Sequence, residues 1–173
     1  MATMPDLVIR PARSADAASL AAIYNHYITQ TSFTFEEHPL SSGQMNERLG
    51  RISAAGLPWR VAESAGFILA YAYAGPWRER SAYRHSVEVS AYVQPAHSRR
   101  GLGSRLYRAL LEELIAAGLH TAIGVVPLPN PGSVALHERL GFAKVAHLQA
   151  VGFKFGRWID VGYWQRMLAP DVI

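Results

Sequence analysis

The stretch HSRRGLGSRL, residues His97 to Leu106, places two glycines one residue apart, after the stretch EVSAYV and before a helical pattern. A glycine inside a helix costs roughly 1 kcal/mol relative to alanine, so the pair needs a reason. The first N–H groups of a helix lack intrahelical partners, and the macrodipole leaves about half a positive charge there. Because Gly101 and Gly103 have no Cβ, their backbone can approach a pyrophosphate closely. The stretch therefore predicts an anion-binding turn between a strand and a helix.

The spacing of these glycines matches neither of the two common nucleotide-binding patterns. A Rossmann fingerprint needs a third glycine near position 106, where Leu106 stands. A Walker A loop needs Gly-Lys-Ser/Thr, which is absent from the sequence. A turn that uses its glycines for backbone geometry alone remains the alternative to a phosphate site.

Composition predicts one globular domain covering residues 1–173. Half of the residues are hydrophobic and 17% are charged, which is typical of a folded chain rather than a disordered one. No apolar run reaches the roughly 18–20 residues that cross a bilayer, and the first ten residues lack the pattern of a secretory signal. The sequence has no cysteine, which excludes disulfides and thiolate metal sites and agrees with a reducing compartment. We therefore expect a cytoplasmic protein that has no membrane partner.

The net charge of +4 is carried almost wholly by arginine, which suits bidentate recognition of phosphate and carboxylate. The arginines are scattered, with local clusters at Arg78–Arg84 and Arg99–Arg108, and form no block of like charge. This pattern favours an anionic small molecule over nucleic acid as the partner. The seven histidines show neither HExxH nor paired metal-ligand spacing, so we expect no metal site.

Hydrophobic periodicity along the chain predicts an α/β domain with a mixed sheet. We expect strands at 7–10, 59–63, 67–75, 87–93, 121–126, 142–149 and 158–168, with the stretch AVGFKFGR as a loop before the last strand. Ser14 is the expected N-cap of the first helix, and the SSGQ stretch at Ser41–Gln44 predicts a capping box for the second. Two further helices are expected at 103–117 and 133–140, the latter closed by Gly141.

Two motifs in register resemble those of the GNAT acetyltransferase superfamily. AYVQPAHSRRGLGSRL resembles its coenzyme A pyrophosphate loop, Gln/Arg-x-x-Gly-x-Gly/Ala, although Ser98 stands where Gln or Arg is usual. NPGSVALHERLGF resembles the pattern Asn-x-x-Ala/Ser-x-x-x-Tyr-x-x-x-Gly-Phe, with His137 at the tyrosine position. The resemblance implies the GNAT fold, a central mixed, mostly antiparallel sheet with helices on both faces, and acetyl-CoA as the acetyl donor. The residues then expected to contact the coenzyme are Ala91, Tyr92, Val93, Arg99, Arg100, Gly101, Leu102, Gly103, Ser104, Asn130 and Ser133.

Residues 70–168 resemble more closely the phosphinothricin acetyltransferases and their methionine sulfoximine or sulfone relatives, which acetylate the α-amino group of small amino acids. The resemblance implies a homodimer, to which the segment WIDVGYWQRML can contribute apolar area. Arg84-His85 stands where herbicide-detoxifying members often carry Asp-Trp, and Phe155 and Ile159 stand where they carry histidines. These departures concern the acceptor rather than the acetyl donor.

Acetyl transfer to an amine requires a base, and Glu88 is the candidate. In SVEVSAYV the odd positions Val87–Val93 form one apolar face, which leaves Glu88, Ser90 and Tyr92 on the other. A carboxylate on a central strand loses solvation, and its pKa rises toward the range useful for a base. The resemblance supports this role because related enzymes carry a glutamate at the matching position. A solvated glutamate on an exposed face is the alternative.

The thioester oxygen and the leaving thiolate need hydrogen-bond donors. A backbone N–H near Tyr92 or Val93 is expected to polarise the oxygen, with a bulge freeing the donor. His137 is the candidate acid for the thiolate because it takes the tyrosine position of the family motif. Tyr107, on the helix that follows the glycine turn, is the competing acid, and a core role is the alternative for each.

Charged and aromatic loop residues are the candidates for binding the acceptor. Arg78, Arg80 and Tyr83 precede the Glu88 strand, and Lys154 precedes the last strand, where cationic groups can bind a carboxylate or phosphinate. Phe33 and Phe35 are candidates for a pocket wall. Solvated loop charges and plain packing are the corresponding alternatives.

The sequence therefore predicts an N-acetyltransferase for phosphinothricin, methionine sulfoximine or methionine sulfone. A GNAT enzyme for another amine, such as a polyamine, an aminoglycoside or a protein N-terminus, is the second hypothesis. A non-catalytic acyl-CoA-binding module is the third, and it requires that no amine be acetylated.

Overall fold

The computed structural model describes residues 6–168, which form seven strands and four α-helices. In chain order they are β1 Val8–Pro11, α1 Ala17–Gln30, α2 Ser42–Ala54, β2 Trp59–Ser64, β3 Phe67–Pro76, β4 Ser86–Val93, α3 Leu102–Ala116, β5 Thr121–Leu128, α4 Pro131–Arg139, β6 Ala143–Lys154 and β7 Arg157–Met167. The first and last five residues of the predicted 1–173 domain lie outside the described range. No helix between residues 6 and 168 is long and apolar enough to span a membrane.

One seven-stranded sheet, in the order β1-β2-β3-β4-β5-β7-β6, organises the structure. Every neighbouring pair is antiparallel except β4 and β5, which run parallel. Those two strands pair only between Ser86–Glu88 and Thr121–Ile123, and beyond that point they diverge. The predicted mixed, mostly antiparallel sheet is confirmed, and its one parallel pair opens into a gap.

Helices cover both faces of the sheet because the strands alternate apolar side chains between two cores. On one face α3 packs Leu106 and Leu110 against Ala72 and Val89. On the other, α1 and α2 pack against Val61 and Tyr71. The gap between β4 and β5 therefore connects two sides of a well-packed sheet.

Local signals predicted one helix start correctly and another incorrectly. Ser41 caps α2 by accepting a 3.2 Å hydrogen bond from the Gln44 N–H, and the Gln44 side chain accepts from the Ser41 N–H at 2.8 Å, as the capping box predicts. The prediction that Ser14 caps the first helix is wrong, because Ser14 lies in a short 3-10 turn and α1 begins at Ala17. Asp16, which binds the Arg10 guanidinium at 2.8 Å, precedes α1 instead.

The stretch AVGFKFGR is not a loop. Most of it belongs to β6, and the chain reverses into β7 over Phe155 and Gly156. Phe155 and Ala150 have φ of 51° and 49°, and the β6–β7 register shifts between Leu148 and Gly152. The bulge interrupts the alternation of side chains, which is why the sequence pattern does not resemble a strand.

Candidate active site

A cleft of about 710 Å³ lies where β4 and β5 diverge. Its walls are Val89–Val93 of β4 and Val125–Pro127 at the end of β5. The turn before α3 and the first two turns of α4 complete it. The cleft is therefore built from backbone edges and helix N-termini, which are the groups that bind anions and amides.

The glycine turn has the geometry that its sequence predicts. Gly101 precedes α3 with φ of 79°, a left-handed conformation that glycine adopts without strain. The first backbone bond into α3 runs from the Arg105 N–H to the Gly101 carbonyl, so the preceding N–H groups have no intrahelical partner, and Gly101–Ser104 line the cleft. A Cβ on Gly103 would lie 3.3 Å from Leu136, so this glycine also allows α3 to approach α4 closely.

The structure brings ten of the eleven predicted coenzyme residues together along this cleft. They are Ala91, Tyr92, Val93, Arg99, Gly101, Leu102, Gly103, Ser104, Asn130 and Ser133. Arg100 is exposed and does not line the cleft. Asn130 also caps α4, since its side-chain oxygen accepts from the Ser133 N–H at 3.1 Å.

The predicted bulge in β4 is absent, because β4 pairs with β3 in unbroken register from Val87 to Val93. The Ser86 carbonyl and the Gln94 N–H bond toward β3, so the even positions between them face the same way. The N–H groups of Ala91 and Val93 consequently face the cleft. Strand divergence, rather than a bulge, frees the donors, and Tyr92 is excluded as a backbone donor.

Glu88 is the last residue of β4 that pairs with β5, directly before the cleft wall begins at Val89. Its side chain is half-buried, on the same face as Ser90 and Tyr92, as predicted. Burial raises the pKa of the Glu88 carboxyl, and the positive charge of Arg78 partly opposes that rise. The pKa shift therefore moves this carboxylate toward the range of a general base.

His137 and Tyr107 lie against each other in the cleft wall. The His137 Nδ1 lies 2.8 Å from the Ser133 carbonyl oxygen, and its Nε2 lies 3.3 Å from the Tyr107 Oη. Burial lowers the pKa of the imidazole and raises that of the phenol. The ring of His137 lies over Gly124 of β5, where a Cβ would overlap it. The two candidate acids thus form one hydrogen-bonded pair.

Of the predicted acceptor residues Phe33 lines the cleft, and the others form two groups that do not. Arg78 stacks on Trp77 at 5.0 Å and acts electrostatically on Glu88, whereas Arg80 and Tyr83 lie in an exposed loop. Lys154 is buried and donates to the Thr34 carbonyl oxygen at 2.7 Å. The Phe35 ring lies over Gly152 of β6.

Lys154 and Phe35 therefore anchor the segment between α1 and α2 to the β6–β7 hairpin instead of facing the cleft. Phe33 of that segment does line the cleft, so of the two phenylalanines it is the one that the structure brings to the site. The hairpin fixes the segment from one side, and Phe33 forms the wall on the other.

Tyr27 of α1 is a site residue that sequence reasoning missed. It lines the cleft, and its Oη donates a 2.6 Å hydrogen bond to the Val93 carbonyl oxygen. No sequence signal marks Tyr27 as a site residue, because it shares an apolar helical face with Leu20, Ile23 and Tyr24. That pattern predicts a residue of the hydrophobic core. Within residues 6–168 no group of three or more histidine, aspartate or glutamate side chains is placed to hold a metal ion.

Comparison with known families agrees with this geometry. Residues 9–162 match the profile of the acetyltransferase (GNAT) domain. The phosphinothricin N-acetyltransferase of Streptomyces viridochromogenes is 44% identical over 158 residues, which cover 91% of this chain and 86% of that protein. The L-methionine sulfoximine/L-methionine sulfone acetyltransferase of Salmonella typhimurium is 35% identical over 95% of this chain and 99% of its own length.

A solved structure shows the same fold. The acetyltransferase from Salmonella typhimurium, determined with its cofactor acetyl-CoA, superposes with a TM-score of 0.93 at 34% identity. The match covers 96% of each chain.

Proposed function

The chain belongs to the GNAT acetyltransferase family and is an acetyl-CoA-dependent N-acetyltransferase, and we propose from this premise that it acetylates the α-amino group of a small amino-acid analogue. Phosphinothricin, methionine sulfoximine and methionine sulfone are the proposed acceptors, because similar proteins are named for them. The observation that carries the proposal is the cleft at the β4–β5 divergence, which begins beside the half-buried Glu88.

The cleft residues fit acetyl-CoA, which would supply an activated acetyl thioester. Gly101 places the free N–H groups at the start of α3 toward the cleft, and Arg99 adds positive charge for a pyrophosphate. The cleft-facing edge of β4 offers backbone groups for the amides of the pantetheine arm. We assign coenzyme binding to the ten predicted residues that line the cleft, and we place Arg100 at the rim of the cleft.

Two sets of groups on β4 would carry the chemistry. Glu88 accepts the proton that the substrate ammonium must lose before the nitrogen can attack. The N–H groups of Ala91 and Val93 are the donors available for the thioester oxygen, since β5 does not use them. The Tyr107–His137 pair is the group assigned to the leaving sulfur.

The charges beside Glu88 favour an anionic acceptor over a polyamine or an aminoglycoside. The positive charge of Arg78 lies close enough to Glu88 to oppose the rise in the pKa of that carboxyl. A carboxylate or phosphinate bound to Arg78 would therefore hold the amine of the acceptor near the base. Arg80 is proposed to add charge at the mouth of the site and Tyr83 a hydroxyl donor. Phe33 and Tyr27 form the cleft wall that the side chain of the acceptor would meet.

We propose that a second copy of the chain covers the β6 edge of the sheet. This strand spans Ala143–Lys154, and almost all of its side chains are exposed. The exposed apolar side chains near the turn of the β6–β7 hairpin include Val145, Leu148, Val151, Phe153, Phe155 and Trp158. A long apolar edge pairs readily with another strand, and a twofold axis would satisfy two such edges at once.

The absence of cysteine agrees with the proposed cytoplasmic location.

The test is thiol release from acetyl-CoA with phosphinothricin, methionine sulfoximine, methionine sulfone, glutamate, spermidine and an aminoglycoside as acceptors. Preferential turnover of the phosphinate, sulfoximine or sulfone is the expected result. Preferential turnover of spermidine or the aminoglycoside would overturn the acceptor assignment. Binding of acetyl-CoA without turnover of any amine would favour the non-catalytic acyl-CoA-binding module.

A further inference from the structure

Two polar side chains in the cleft wall are almost completely buried. Tyr107 is 1% exposed and His137 is 3% exposed, and both line the cleft. A leaving thiolate needs a hydrogen-bond donor, so the protonation of these two groups decides which of them can act.

The hydrogen bonds of His137 fix its tautomer. Its Nδ1 lies 2.8 Å from the Ser133 carbonyl oxygen, and a carbonyl can only accept, so Nδ1 carries a proton. Burial lowers the pKa of the imidazole, so the ring is neutral at physiological pH. A neutral imidazole has one proton, which leaves Nε2 as an acceptor with nothing to donate.

The partner of Nε2 must then be the donor. The Tyr107 Oη lies 3.3 Å from that nitrogen, which is beyond the usual range of about 2.7–3.2 Å for protein hydrogen bonds that involve nitrogen and oxygen. Burial, together with the nearby Tyr73 and Glu88, raises the pKa of Tyr107, so the hydroxyl keeps its proton. The proton of Tyr107 is therefore present and held by a long, weak bond.

We propose that the Tyr107 hydroxyl donates the hydrogen bond that stabilises the departing thiolate, and that His137 is a positioning residue that holds this hydroxyl until the sulfur becomes charged. As charge develops, the hydroxyl exchanges a long neutral bond for a charge-assisted one, which is roughly twice as strong. The inference rests on the proposed acetyl transfer. Tyr107 takes the role that the family motif gives to the residue at position 137.

Neither Tyr107 nor His137 gives up a proton in this step. The amine nitrogen forms its bond to the acetyl carbon, and the electron pair of the carbon–sulfur bond leaves on sulfur. Glu88 accepts the proton from nitrogen and passes it to water, and water protonates the sulfur on release. Tyr107 returns to His137 unchanged.

Steady-state kinetics of Tyr107→Phe, His137→Leu and the double variant test these roles. Phenylalanine keeps the ring that packs near Phe142 and removes only the hydroxyl. We expect kcat of Tyr107→Phe to fall on the order of 10²-fold with both KM values little changed. We expect His137→Leu to lose only several-fold, and the double variant to match Tyr107→Phe. A His137→Leu loss as large as that of Tyr107→Phe would overturn the proposal.

A measurement on bound coenzyme A separates this inference from the proposed function, because it needs no acceptor. The pKa of the bound thiol is read from the ultraviolet absorbance of the thiolate. We expect the wild-type protein to lower it relative to free coenzyme A, Tyr107→Phe to return it toward the free value, and His137→Leu to keep most of the shift. Equal thiol pKa values in wild type and Tyr107→Phe would overturn the proposal, whatever the rates.

If Tyr107→Phe fails to fold, fluorotyrosine incorporated at position 107 supplies the same test, since its more acidic hydroxyl is a stronger donor. The thiol pKa should then fall further, and an unchanged value would count against Tyr107. A panel in which no amine reacts while the thiol pKa still depends on Tyr107 would reject the acceptor and leave this inference standing.

Discussion

The backbone of Gly124 on β5 and the imidazole of His137 on α4 are in direct contact, with no room for a Cβ between them. We expect Gly124→Ala to push the imidazole toward Tyr107 and to lower stability by about 1–3 kcal/mol, the usual cost of overpacking. The melting temperature and kcat should both fall. Gly50→Ala is the control, because nothing lies within 4 Å of a Cβ there and alanine favours the α2 helix. Unaltered activity in Gly124→Ala would show that the contact has no functional weight.

Glu88→Gln should lower kcat by orders of magnitude and leave acetyl-CoA affinity unchanged. A base works only when ionised, so the activity of the wild type should fall as pH drops through the raised pKa of Glu88. The variant should lack this acidic limb. Burial disfavours the ionised form in the folded state, so the glutamine variant should also melt slightly higher at pH 7. Rates across pH 6–9, calorimetry and a melting curve provide the test, and a Glu88→Gln variant with wild-type rates would remove Glu88 as the base.

Gly101→Ala should weaken acetyl-CoA binding several-fold, because φ of 79° strains any residue with a Cβ and the turn must relax. Gly66→Ala is a matched control, since Gly66 has φ of 80°, has equally open surroundings and lies in the β2–β3 turn outside the cleft. Both variants should lose about 1–2 kcal/mol of stability. Calorimetry that finds equal coenzyme affinity in the two would contradict the anion cradle.

Lys154→Met should lower stability by about 1–3 kcal/mol, because the Thr34 carbonyl loses a buried donor. The segment that carries Phe33 should loosen, which raises KM for the acceptor and leaves acetyl-CoA affinity intact. Lys144→Met is the control, because Lys144 is the other lysine and is exposed. Equal KM values for the two variants would mean that the anchor does not shape the acceptor site.

Val151→Glu should prevent formation of the proposed dimer, since Val151 is 53% exposed on the apolar β6 edge. Sedimentation or light scattering across a concentration series measures this. Ile115→Glu is the control, because Ile115 is 44% exposed on α3, away from that edge. A wild-type protein that stays monomeric at high concentration would reject the proposed assembly.

Local chemistry predicted the elements that depend on their own sequence. The Ser41 capping box, the glycine turn and the alternation around Glu88 all involve neighbours within a few residues, so the pattern contains the answer. The Ser14 prediction was wrong because Asp16 is bound by Arg10 of β1, a contact that a local capping pattern does not include.

Tertiary relationships decided the rest. The free donors of Ala91 and Val93 depend on where β5 separates from β4, and a single strand's sequence does not encode its neighbour's direction. The sequence pattern predicts that Lys154 is a cation in a loop. It is buried because the segment after α1 packs across the β6–β7 hairpin. No spacing rule connects Tyr107 to His137, which are thirty positions apart.

The divergence of β4 and β5 also affects the stability of the protein. The two halves of the sheet are joined by a ladder that ends at Glu88, so free amides on this edge should exchange readily with deuterated solvent. A coenzyme held in the cleft would act as a substitute strand and add stability by mass action, about 2.7 kcal/mol at one hundred times its dissociation constant. Cooperativity of unfolding, and with it resistance to proteases, would then follow the cellular supply of acetyl-CoA, so that the enzyme persists where its substrate is plentiful.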